Sequence, residues 1–148
     1  MIAASQNLAR IHTVKKLNQL FTALQGVKKK YEGFASSIKD KQLYQAIISL
    51  AVENNQYASE LSSLIQSLGG EPDSATSPLK AQTGIKKPRT EKNILNSCER
   101  SEQFLVKMYK EVLQESYIYD SLKKMIGNQL NGINFSFHRL KLLNTFQK

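Results

Sequence analysis

Two carboxylates, Glu53 and Glu102, lie on or beside the apolar stripes of a strongly helical sequence, together with Asn54, Tyr57, Tyr109 and Gln129. Inward carboxylates in a helical bundle can do one sharp piece of chemistry, which is to bridge two iron or manganese ions. That chemistry needs a Glu from each of two helices and Glu-x-x-His from each of the other two. Residues i and i+3 share a helix face, so this spacing aims a carboxylate and an imidazole inward together. The pattern is incomplete here. Glu53-Asn54-Asn55-Gln56 reads Glu-x-x-Gln, and the slot opposite Glu102 in the last helix reads Asn134-Phe135-Ser136-Phe137. His138 is adjacent to that slot but about 100° round the helix. Glu99 is available beside Glu102, but the first helix offers no acid between Thr13 and Tyr31, and Glu32 falls at the edge of the core. No catalytic residue, metal ligand set or cofactor site is therefore expected. Glu53, Asn54, Tyr57, Glu102, Tyr109 and Gln129 are expected instead to form a buried layer that hydrogen-bonds within itself, because buried polar groups need partners.

Other chemistries have less to work with. His12 and His138 are the only histidines and sit near opposite chain ends. No glycine-rich phosphate loop is present, and Glu71 and Asp73 are acids of a loop. Cys98 is the single cysteine, which excludes an intrachain disulfide and a multi-cysteine zinc site. It falls on an apolar face, so an inert buried thiol is expected.

These residues must be positioned by helices. Leu17, Leu20, Phe21, Leu24, Val27, Tyr31, Phe34, Ala35 and Ile38 recur three or four apart and predict a first helix over 14–38. Asp40 is the expected N-cap of a second helix, 41–68, with the stripe Leu43, Ile47, Leu50, Asn54, Tyr57, Leu61, Leu64 and Leu68. Gly69-Gly70 and Pro72 stop it. Thr90 is expected to cap a third helix, 91–116, carrying Ile94, Leu95, Cys98, Glu102, Leu105, Met108, Tyr109 and Val112. Asp120 is expected to cap a fourth, 120–145, carrying Leu122, Met125, Ile126, Gln129, Ile133, Phe137, Leu140 and Leu143. Gly26 and Gly33 in the first helix, and Gly127 and Gly132 in the fourth, leave open either close helix approach or mere tolerance of glycine.

Connections decide the topology. Short links between helices 1 and 2 and between 3 and 4 make two antiparallel hairpins. The stretch 69–90 holds Pro72, Pro78, Gly84 and Pro88 and lacks periodicity. About twenty extended residues reach ~66 Å, more than the roughly 42 Å of the second helix. One long crossover along the bundle, with helices 2 and 3 parallel, is the ferritin-like arrangement. The fold expected for 1–148 is thus a single all-α, ferritin-like four-helix-bundle domain.

Composition sets the outer bounds. The chain has 148 residues, 41% of them hydrophobic and 22% charged, which suits one globular domain with a real core. No apolar run approaches a membrane span, and the first residues lack the pattern of a signal peptide. A cytoplasmic location is the expectation. The net charge is +9, but the lysines are dispersed beyond Lys28-Lys29-Lys30 and the group Lys80, Lys86, Lys87, Arg89 and Lys92. A basic solvated surface is expected rather than specific nucleic-acid binding.

Two motifs then carry a resemblance. The first runs Leu50-Ala51-Val52-Glu53, Tyr57-Ala58-Ser59-Glu60-Leu61 and Leu68-Gly69-Gly70-Glu71-Pro72. The second is Ile94-Leu95-Asn96-Ser97-Cys98-Glu99-Arg100-Ser101-Glu102. Together they resemble an uncharacterised ferritin-like four-helix-bundle family of bacteria, a domain of unknown function in which Cys-Glu-Arg-Gly-Glu is the common form of the second motif. Tyr31 is similar to a family tyrosine late in the first helix, and the family's His-Asp-Arg-Ile run sets Phe137 at its histidine. The resemblance covers about 13–143. It implies a ferritin-like bundle of unassigned activity, sometimes linked to stress responses, and does not imply an enzyme. The crossover departs from the family, which usually carries a short helix with Trp there.

The functional expectation is a non-catalytic bundle that acts through association with itself or with an unidentified protein. The alternatives are a di-iron or di-manganese carboxylate protein and, more weakly, a basic module for nucleic acid or anionic surfaces.

Overall fold

The computed structural model describes residues 2–73 and 90–146. Four helices make up the bundle: α1 (Ile2–Ala35), α2 (Lys41–Ser67), α3 (Glu91–Leu113) and α4 (Asp120–Thr145). All nine residues of the first stripe, from Leu17 to Ile38, are buried. So are the apolar positions of the other stripes, apart from Tyr57, Leu64, Leu68, Met108, Met125, Phe137 and Leu143, which are half-buried. Ala51, Ala58 and Ile65 on α2 join the core as well. No described helix is long and apolar enough to cross a membrane.

The ends of the helices show the topology. The backbone N–H groups of Lys39 and Asp40 both donate to Glu91 Oε2 at 3.3 Å, so α2 and α3 begin at the same end. Lys92 Nζ donates to the carbonyl of Asn144 there, which brings in the end of α4. At the opposite end Arg10 donates to the carbonyl of Leu68, and Lys16 pairs with Glu115 at 3.6 Å. Helices α2 and α3 are therefore parallel, and the chain between Asp73 and Thr90 joins opposite ends of the bundle. The conformation of 74–89, with the Lys80, Lys86, Lys87 and Arg89 cluster, lies outside the described residues.

The helix stops are built from backbone chemistry. Gly69 has φ +84. Its N–H bonds to the carbonyl of Gln66 and that of Gly70 bonds to Ile65, each at 2.9 Å, the pair of bonds that closes a Schellman end. A Cβ on Gly70 would lie 2.6 Å from Val14 Cγ1, so the second glycine also lets α1 pass close by. Asn18 on α1 then fastens the exit of the chain. Its amide donates to the Glu71 carbonyl at 3.0 Å and its Oδ1 accepts from the Asp73 N–H at 2.8 Å.

Two capping expectations hold and one does not. Asp40 Oδ1 accepts from the Leu43 N–H at 3.0 Å, and Thr90 Oγ1 accepts from Asn93 at 3.1 Å. Asp120 is no cap. Tyr119 occupies that position with extended backbone and no side-chain capping bond, and Asp120 is the first helical residue. There its charge meets the positive end of the helix dipole, which explains an acid at that place without a cap. The helix limits also differ from the sequence reading. Helix α1 starts at Ile2, because nothing in its first dozen residues breaks a helix, and ends at Ala35, leaving Ile38 buried beyond it. Helix α3 ends at Leu113 and α2 at Ser67. Asp40→Ala is expected to lower the unfolding free energy by about 1 kcal/mol. A urea titration in which the midpoint does not move would show the cap contributes nothing.

Candidate functional site

The centre of the bundle is polar. Glu102 on α3 is 0% exposed. Its Oε2 accepts from the Tyr31 hydroxyl of α1 at 2.5 Å, and the same hydroxyl lies 3.3 Å from the Cys98 carbonyl. Oε1 of Glu102 has no protein partner. Burial pushes the Glu102 carboxyl up to about 7; the Tyr31 bond opposes that rise and the charge of Glu53 adds to it. Burial, helped by the Glu102 charge, holds the Tyr31 hydroxyl well above the usual phenol range.

The second half of the site spans α2 and α4, which run antiparallel in one register. Glu53 Oε1 accepts from Ser136 Oγ at 2.6 Å. One turn on, a Cβ built on Gly132 would fall 2.0 Å from the Tyr57 hydroxyl. Tyr57 thus puts its hydroxyl into the space a larger residue at 132 would fill. One turn further, Gln129 Nε2 donates to Glu60 Oε1 at 2.8 Å and to the Tyr57 carbonyl at 3.3 Å, while its Oε1 accepts from Tyr109 at 2.6 Å. Burial, followed by the charge and hydrogen bond of Glu53, raises Tyr57, and burial raises Tyr109. All three phenols stay protonated at neutral pH and serve as donors.

The six residues singled out in the sequence do not form one closed network. Tyr109 and Gln129 bond directly, and Glu53 bonds to Tyr57. Glu102 turns instead to Tyr31 on α1. Asn54 is 1% exposed and neither of its side-chain polar atoms has a protein partner. That leaves an amide and a carboxyl oxygen unsatisfied in the middle of the bundle, where such atoms normally find water or protein. Tyr31, Glu60 and Ser136 are the members the sequence reading missed. Tyr31 falls in the apolar stripe of the first helix, where its period marks it as core. Ser136 and Glu60 carried a signal in their spacing, four after Gly132 and three after Tyr57.

The inward i, i+3 pairs are also not those the sequence suggested. On α2 they are Asn54 and Tyr57, since Gln56 is exposed. On α4 they are Gln129, which is buried, and Gly132, which faces the Tyr57 hydroxyl, about one turn before the expected Asn134–Phe137 slot. His12 and His138 are exposed. Glu32 is exposed and pairs with Lys28 at 3.9 Å, and Glu99 bonds to Asn144 toward the end of the bundle. Among the described residues, no group of three or more His, Cys, Asp or Glu is placed to hold a metal ion. Cys98 is 0% exposed and its thiol is pushed up to about 12 by burial and then by Glu102, so it is no nucleophile.

Against known proteins, the family described as a domain of unknown function (DUF2383) matches residues 12–115. No curated protein matches. Among solved structures, a bacterioferritin from Desulfovibrio desulfuricans superposes with a TM-score of 0.83 at 12% identity, over 95% of this chain and 82% of that one. At that identity the likeness shows the ferritin-like four-helix-bundle fold and nothing more.

Proposed function

The chain belongs to the DUF2383 family, whose description assigns no activity, and from the site itself we propose a non-catalytic ferritin-like bundle whose core layer is closed by hydrogen bonds rather than by metal. A single observation carries this reading. The two inward i, i+3 pairs on α2 and α4 are amide–phenol and amide–glycine, with the Tyr57 hydroxyl filling the gap at Gly132. A dimetal centre needs a carboxylate and an imidazole at each pair. Asn54, Tyr57 and Gln129 are neutral ligands at best, and neither histidine faces inward. The donor set does not fit two metal ions.

The bacterioferritin it resembles is described as having a diiron site, and that likeness favours the second reading, a carboxylate dimetal protein. Metal analysis separates the two. Protein purified in the presence of iron or manganese is expected to retain substantially less than one equivalent. Added metal should raise the melting temperature little, since weak binding stabilises only by RT ln(1 + [L]/Kd). Two tightly held ions about 3.5–4 Å apart would refute the first reading.

Without a reaction to run, the molecule works through its surface. We read it as a single-domain cytoplasmic protein that associates with copies of itself or with another protein, or that serves a stress-related role. The positive surplus lies on α1, α4 and the 80–89 stretch, three separate parts of the chain, which supports a solvated surface rather than a specific nucleic-acid footprint.

A further inference from the structure

Helices α2 and α4 leave the space between the first turns of α2 and the last turns of α4 unfilled. Small side chains are the cause: Ala46, Ser49 and Ser136 reach only a short way across. The result is an open trough of about 420 Å³ walled chiefly by Leu50, Leu140, Leu143 and Phe146. That volume lies within the ~300–1,000 Å³ range of small-molecule sites.

The two ends of the trough differ in chemistry. Toward Phe146, which is 76% exposed, its walls are apolar apart from Gln42. The other end is closed by the Glu53 carboxylate. The hydrogen bond Glu53 accepts at 2.6 Å comes from a neutral hydroxyl, that of Ser136. Among the described residues it takes part in no ion pair. Arg139 lines the trough too, but its guanidinium sits over the Phe135 ring, 5.8 Å from the centroid. A second acid, Glu102, lies close enough behind Glu53 to feel its charge. Among the described residues, no cation is ion-paired with this acidic end of the trough. A charge-assisted bond to a carboxylate is among the stronger polar contacts available to a ligand.

We propose that the trough between α2 and α4 binds a small amphiphile with an ammonium head, the head on Glu53 and the apolar body along Leu50, Leu140 and Leu143 toward Phe146. The proposal needs Glu53 uncommitted to metal and to that extent rests on the reading above.

The test is a titration of chelator-treated protein with n-octylamine, n-octanol and sodium octanoate, followed by backbone amide NMR shifts. Chelation separates the two questions, because metal found before treatment bears on the earlier reading alone. Saturable shifts are expected within 46–53 and 136–146. Octylamine should bind about tenfold more tightly than octanol, the worth of one charge-assisted bond, and octanoate should bind most weakly. A basic protein favours the anion everywhere else, which makes a preference for the cation specific to this place. Glu53→Gln should bring octylamine down to the affinity of octanol, and Ala46→Leu, which fills the trough, should weaken all three. Equal affinities for the three heads in the native protein, or shifts that never saturate or fall outside these helix segments, would overturn the proposal. So would a folded Glu53→Gln variant that keeps the preference for octylamine.

Discussion

Glu102→Gln is expected to make the protein more stable at pH 8 by about 3 kcal/mol while changing it little at pH 4. The folded carboxyl titrates at about 7 and its ordinary value is 4.5. Between those values the folded state holds a proton that the unfolded chain has released. The group's contribution is therefore fully present below 4.5, is lost as the pH rises through 7, and stays lost above it. At ~1.4 kcal/mol per pH unit, the gap amounts to ~3 kcal/mol. The amide that replaces the carboxyl keeps the acceptor that Tyr31 uses at 2.5 Å and never ionises. Urea unfolding from pH 4 to pH 8.5 reads the effect directly. Parallel stability curves for the native protein and the variant would mean that Glu102 does not titrate as its burial requires. Tyr31→Phe works in the opposite sense. It removes the bond that restrains the rise, so the midpoint should move above 7 and the loss at pH 8 should deepen by up to about 1.4 kcal/mol, the limit reached when the folded carboxyl stays protonated at that pH.

The second large effect is expected at Gly132. In an open helix, Gly→Ala gains about 1 kcal/mol. Here the new Cβ would fall 2.0 Å from the Tyr57 hydroxyl and 3.2 Å from the ring carbon that bears it. Tyr57 would have to swing out and give up its place beside Glu53, at an overpacking cost of typically 1–3 kcal/mol. Set against that gain, a net loss of up to about 2 kcal/mol is expected for Gly132→Ala. Tyr57→Phe deletes the atom that collides, so the double variant should recover most of that loss. The two sites must couple in a double-mutant cycle. Gly127, which has nothing within 4 Å of its Cβ position, is the internal control, and Gly127→Ala should be neutral or stabilising. Additive effects at 132 and 57 would show that the hydroxyl does not occupy this gap.

Much of the architecture was legible before any coordinates. A 3.6-residue period needs no tertiary information, and all nine apolar positions of the first stripe lie in the core. Gly-Gly after Leu68 can do little but end a helix, and Asp40 and Thr90 reach the amides three residues on. Chain length dictated the crossover, because short links force hairpins and only the long one can span the bundle. Where α1 begins was not legible, since its first turns carry no stripe and break no helical rule.

The site depended on what no single helix encodes, which is rotation about the helix axis and register against the others. Glu53 and Asn54 are neighbours in sequence, and a period of 3.6 leaves either able to face inward. Packing against α4 places Asn54 and Tyr57 inward and leaves Glu53 at the edge, bonded to Ser136. Register then selects Gln129 and Gly132, rather than Asn134 and Phe137, as the residues Tyr57 meets. Tyr31 looked like core until its hydroxyl met a buried acid from another hairpin. By itself the sequence determined the four helices, their stops and their order, because those follow from local periodicity and connection length. Only the tertiary structure decided which polar groups meet, because angles of rotation and offsets along the axis are set by side chains interlocking across helices far apart in the chain.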